Sequence, residues 1–229
     1  MKKHSSLAVY FSGGTTAFNS LLGHAGLAEA VYAKSHGRYL CRLPQDFAPR
    51  VSHSRFARDQ RLRMLVGCDA GLFFLDGATS EGVTAAEFMF AKFADLPAVV
   101  LRDTAAGGSR VLLGRPTDFC PRTVTVMLDS LRDYRALQTR RHPRRAPDEI
   151  TRLAGQHASA TAAHLCDQVA AMVVRALDKA IALDPVMPRH LREEIYNWLA
   201  LMPGLRGKAR ELRKEFERHL ERKVKRGLL

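Results

Sequence analysis

Apolar positions along this chain fall into short continuous runs separated by longer stretches with helical spacing. Residues 7–11, 39–43, 70–75, 98–101 and 124–128 are runs of four to six mostly apolar residues, the length of a strand buried on both faces. Between them, residues 17–35 and 55–67 show the 3.6-residue period of amphipathic helices, the second with Phe56, Leu62 and Leu65 turned inward. A further helical pattern follows a polar loop at 76–84 and carries Glu87 in its first turn. Alternation of this kind predicts an α/β sandwich around a mostly parallel sheet, because parallel strands need a crossover between them. Beyond residue 130 the pattern changes. A basic linker is predicted over 131–147, where Arg140 to Pro147 reads RRHPRRAP and its prolines block regular structure. Helical segments then follow at 148–180, 189–201 and 205–226. In the last of these Leu212, Phe216 and Leu220 recur at i, i+4 and i+8, a stripe for docking on the protein itself or on a second subunit. The expected organisation is an α/β domain over 1–130, the linker over 131–147 and a helical C-terminal extension over 148–229.

Composition narrows the class. At 229 residues with 46% apolar content the chain can bury a sizeable core. No run approaches the roughly 18 apolar residues of a membrane span, so no membrane partner is expected. The apolar run after Lys2 and Lys3 is too short for a secretory signal. Cys41, Cys68, Cys120 and Cys166 are scattered, with no paired spacing and no histidines at ligand distance. They read as thiols of a reducing, cytoplasmic compartment, with no metal site. The net charge of +13 is uneven: 15 basic face 11 acidic residues up to Ser130, and 21 face 12 beyond it. Such a surplus attracts phosphates or nucleic acid, yet four glutamates interleave the ten basic residues after Pro203. A nucleic-acid partner is therefore the less favoured reading.

The chemistry concentrates between Leu72 and Arg102. A buried strand runs into a polar loop holding Asp76 and Glu81, then into the helix of Glu87, then into the next strand. In parallel sheets ligands collect at the carboxyl ends of strands, where this loop falls. A carboxylate there can attack an electrophilic carbon, or it can simply complement the helix macrodipole. Thr84, three residues ahead of Glu87, fits either a capping box or a sugar contact. The turn Ser12-Gly13-Gly14 after the first strand allows close backbone approach to a ligand.

These residues resemble the nucleoside 2-deoxyribosyltransferase family. Its pattern of an apolar strand, an Asp-Gly loop and Asp-Ser-Gly-Thr-x-x-Glu aligns with Asp76-Gly77 and Glu81-Gly82-Val83-Thr84-Ala85-Ala86-Glu87. Val9-Tyr10-Phe11-Ser12-Gly13-Gly14 is similar to its first strand and turn. Leu43-Pro44-Gln45-Asp46 is similar to its second strand end, and Arg58-Asp59 through Cys68-Asp69 to its next helix. The likeness covers about residues 7–102. It implies a flavodoxin-like or Rossmann-like sandwich that cleaves or exchanges the N-glycosidic bond of deoxynucleosides or nucleotides. Glu87 would be the nucleophile and Asp59 the proton donor. Tyr10, Ser12, Gly13, Asp76, Glu81 and Thr84 would line the substrate site. It implies no cofactor and a homo-oligomer. Two departures stand out: Arg61 occupies the place of the family's upstream aspartate, and Gly82-Val83 replaces its small residue and glycine. They keep a second reading open, a non-catalytic nucleotide-binding module with a basic interaction tail.

Overall fold

The apolar runs form strands β1 (Leu7–Ser12), β2 (Tyr39–Arg42), β3 (Ala70–Leu75), β4 (Ala98–Asp103) and β5 (Thr123–Leu128). They belong to a computed structural model that describes residues 6–13, 18–47, 54–75, 81–103, 120–141, 158–202 and 208–229. The five strands pair in the order β2-β1-β3-β4-β5, every pair parallel. This is the flavodoxin-like order. From β1 the chain leaves toward β2, then returns to place β3 on the other side of β1. The crevice that this reversal opens lies at the carboxyl ends of β1 and β3. Register brings Ser12 of β1 opposite Phe73 of β3.

Side chains alternate across the sheet, so each face has its own core. On one face Tyr10, Phe73, Leu75 and Val100 meet helices α2 (Ser54–Gly67) and α3 (Glu81–Phe93). On the other, Val9, Phe11, Leu72, Val99 and Leu101 meet helix α1 (Phe18–Lys34). The C-terminal helices complete both layers. Helix α5 (Ala158–Ile181) lies beside α1 and buries Val169, Val173, Ala176, Leu177 and Ala180, one continuous helical stripe. Helices α6 (Arg192–Leu199) and α7 (Ala209–Lys225) join the face of α2 and α3 through Tyr196, Leu199, Leu212, Phe216 and Leu220. Residues after 148 thus share both cores with residues before 130. The stripe on α7 docks on its own chain. Where a linker was expected from residue 131, helix α4 (Ser130–Arg141) forms instead. Its Leu137 is buried, and the apolar contact sustains a helix that charge content alone did not suggest. The proline-arginine run at 142–147 lies outside the described residues.

Charged contacts fix the helices in place, centred on the buried Asp69 and the half-exposed Asp178. The Asp69 carboxylate accepts bonds from the Ala8 amide at 2.9 Å, Arg226 at 2.8 Å and Arg222 at 3.3 Å, joining β1 and the start of β3 to α7. Asp178 of α5 accepts the Tyr39 hydroxyl at 2.5 Å and the Arg38 guanidinium at 2.8 Å, holding the edge strand β2. Among the described residues, no helix is long and apolar enough to cross a membrane.

Candidate active site

Helix α3 begins at Glu81, earlier than the loop expected through Thr84. An acid at the first helical position is favoured by the macrodipole, and Ala85 and Ala86 propagate the helix well. The early start corrects two expectations. Glu87 lies in the second turn rather than the first, too deep for a dipole partner at the terminus. Thr84 is inside the helix, so it cannot be an N-cap; its side chain is buried. Thr84, Glu87, Phe88 and Ala91 form the i, i+3, i+4, i+7 stripe that α3 turns toward the sheet. Glu87 is therefore a carboxylate set into an apolar face, only 6% exposed.

Three described residues meet that carboxylate. The Ser12 hydroxyl, at the end of β1 and fully buried, donates to Glu87 Oε2. Arg61 of α2 brings Nη1 to 4.0 Å from Oε1, the outer edge of an ion pair. Tyr10, two residues before Ser12 on the same face of β1, is fully buried beneath them. Its hydroxyl makes no hydrogen bond of ordinary geometry, yet it stands close enough to Glu87 for each group to shift the other's titration. Burial raises the Glu87 pKa, against the opposing pull of Ser12, Arg61 and Tyr10. Burial, and then the Glu87 charge, lift Tyr10 well above the ordinary phenol value, so Tyr10 keeps its proton.

Gly13 follows Ser12 for a steric reason. A Cβ built there would fall 2.6 Å from His24 Cε1 and 2.7 Å from Nε2. The His24 ring is buried on α1, with its centroid 4.7 Å from that of Phe11 and 6.2 Å, edge-on, from that of Phe74. Any side chain at position 13 would push this imidazole out of place. The sequence offered no sign of His24, since its place under the turn depends on how α1 crosses β1.

Asp59 is buried on α2, where its carboxylate accepts from the neighbouring Arg58 at 3.0 Å. Residues two apart on a helix point to different faces, and Arg61 is the α2 residue that reaches Glu87. The structure thus brings together Tyr10, Ser12 and Glu87 and adds Arg61 to them, while Gly13, next to Ser12, packs against His24. Glu81 opens α3, and Asp76 lies outside the described residues. Comparison with known protein families, with curated proteins and with solved structures returned no match to this chain.

The arrangement supplies a desolvated carboxylate, a hydroxyl donor, a protonated phenol and a permanent cation at a strand-end crevice. Ionised, Glu87 has lost most of its hydration and is the stronger nucleophile for it.

Proposed function

We propose that the protein is a nucleoside 2-deoxyribosyltransferase-like enzyme that cleaves or exchanges the N-glycosidic bond of deoxynucleosides or their nucleotides. The observation that carries this reading is the buried Glu87 carboxylate held by Ser12 where the sheet order reverses. In the first step a Glu87 oxygen forms a bond to the anomeric carbon while the carbon–nitrogen bond breaks, its electron pair leaving with the base. In the second, an acceptor base or water takes the sugar from the ester and returns the carboxylate, and the proton that the acceptor loses ends on the base that left. Four free cysteines support a reducing, cytoplasmic setting.

Arg61 gives the first step its electrostatics. Before reaction its guanidinium faces an ionised Glu87. Once the ester forms, that negative charge is gone, and the departing base carries it instead. A cation that stays protonated can follow the charge from carboxylate to base without moving a proton. Arg61 thereby takes over the task that the family resemblance gave to Asp59, whose carboxylate is engaged by Arg58. Arg61→Gln should slow base release, and slow it most for the most basic leaving groups, while Asp59→Asn should leave the rate within a few-fold. Equal slowing for all bases would count against this role.

The same Arg61–Glu87 contact favours the second reading, a nucleotide-binding module in which the ion pair has silenced the carboxylate. One experiment separates them. The protein is incubated with each 2′-deoxynucleoside and its 5′-monophosphate, with and without a free acceptor base, and the products are separated by chromatography. The enzyme reading expects free base, and a new nucleoside when acceptor is present. Binding of any of these compounds with no turnover would leave the module.

A further inference from the structure

A second concave site lies away from Glu87, between α2 and α7 over the β1–β2 edge. Its wall includes Ala8 of β1, four residues before Ser12, roughly 13 Å along an extended strand. Its volume is about 390 Å³, within the range of small-molecule pockets. Arg42 from β2, Arg63 from α2 and Arg222 from α7 all line it, together with Gln60, His219 and a single carboxylate, Glu215. Three guanidinium groups from three elements therefore converge on one cavity whose lining holds one acid, with a second, Asp69, pairing Arg222 from behind.

Arg63 and Arg222 are held in defined orientations. Arg63 is held by Glu215 at 2.6 Å, and Arg222 is held by the Gly67 carbonyl and by Asp69 at 3.3 Å. Each guanidinium has five N–H donors in a fixed fork, so these bonds leave others for a ligand. The Arg222 Nε is buried with no hydrogen-bond partner. His219 contributes little cationic charge: burial, then Lys223 and Arg222, lower its pKa against the opposing effect of Glu215. The Cys68 thiol on the same wall is pushed up to about 12 by burial and stays protonated. The cationic character thus comes from permanent charges whose geometry is set before any ligand arrives, the condition for bidentate recognition of a tetrahedral oxyanion.

We propose that this cavity is a binding site for a phosphate-bearing small molecule, with Arg42 and Arg63 as principal phosphate contacts and Arg222 as a fixed backstop. Ala8 and Met64 give the lining an apolar part for the body of the ligand. None of these residues serves the chemistry proposed for Glu87.

Titration calorimetry with inorganic pyrophosphate at low salt tests the site, because pyrophosphate has no glycosidic bond for Glu87 to attack. Saturable one-to-one binding is expected. Arg42→Ala and Arg63→Gln should each weaken it at least tenfold, while Arg132→Ala, an equal charge loss at an exposed position on α4, should change it less than twofold. Glu215→Gln, which removes the only carboxylate among the lining residues, should tighten it. Circular dichroism melts confirm that each variant folds. Displacement by deoxyadenosine 5′-monophosphate or by ribose 5-phosphate would support the site and tell which body it accepts. No saturable binding, displacement by neither compound, or equal weakening by Arg132→Ala and Arg42→Ala would overturn the proposal. So would preference for an oligonucleotide that binds regardless of Arg42.

Discussion

Glu87 occupies a position on α3 where an apolar side chain would pack, and its ionised form is held out of water. Its folded pKa is raised, so its contribution to stability is fully present below the ordinary carboxylate range and is lost as pH rises through the folded value. Glu87→Gln should therefore melt higher than wild type at pH 7, by an amount on the order of 0.5–2 kcal/mol. The two should converge below pH 4. A lower melting temperature for the variant at pH 7 would show that Ser12 and Arg61 outweigh burial. Lys223 makes the opposite case. It is fully buried on α7, donates to the Val66 carbonyl at 2.6 Å and to the Tyr196 hydroxyl at 3.2 Å, and burial lowers its pKa to about 7. With the folded value depressed, stability is fully present above the unfolded lysine value and is lost as pH falls through about 7. Relative to wild type, Lys223→Met should gain most at pH 7 and progressively less toward pH 10, a span of a few kcal/mol. A difference independent of pH would mean that Lys223 is not desolvated as described.

Among the elements, the five strands were legible because both their faces are buried, which leaves continuous apolar runs. Leu212, Phe216 and Leu220 were legible as a stripe, but not their partner: that they meet α2 and α6 depends on packing between segments more than a hundred residues apart in part. The start of α3 was misread for a local reason. Thr84-x-x-Glu87 imitates a capping box, and the sequence does not show that Glu81 already opens the helix. Arg61 stood out as a departure, yet its approach to Glu87 follows from how α2 lies against α3. The segment now seen as α4 was hidden by its arginines, since the burial of Leu137 is a tertiary event. Helix α7 and its C-cap residue Arg226 also carry the Arg63–Glu215 and Arg226–Asp69 pairs. Ending the chain after Met202 would remove all of these and uncover the core face of α2 and α6. Burial of each large apolar side chain is worth about 1.5–3 kcal/mol, so the truncated protein should aggregate or change its oligomeric state in size-exclusion chromatography. A soluble truncated chain of unchanged size would contradict the packing described for α7.

For the molecule as a whole, strand order and site belong together. The reversal between β2-β1 and β3-β4-β5 creates the crevice, β1 ends in it with Ser12, and α3 turns Glu87 toward it. The basic surplus is partly committed within the fold, where Arg222 and Arg226 hold Asp69 and Arg222 lines the second cavity with Arg42 and Arg63. If Glu87 is the nucleophile, exchange of a base must pass through it, and its rate should rise with pH as the carboxylate ionises, with a midpoint above the ordinary 4.5. The most direct test follows the transfer of isotopically labelled free base into its own deoxynucleoside, or the release of base to water, in wild type and Glu87→Gln side by side. The expected result is turnover by the wild type and a loss of roughly 10⁴-fold or more in the variant, which remains folded. Comparable turnover in both proteins, or none by the wild type with any of the four bases, would contradict the assignment of Glu87.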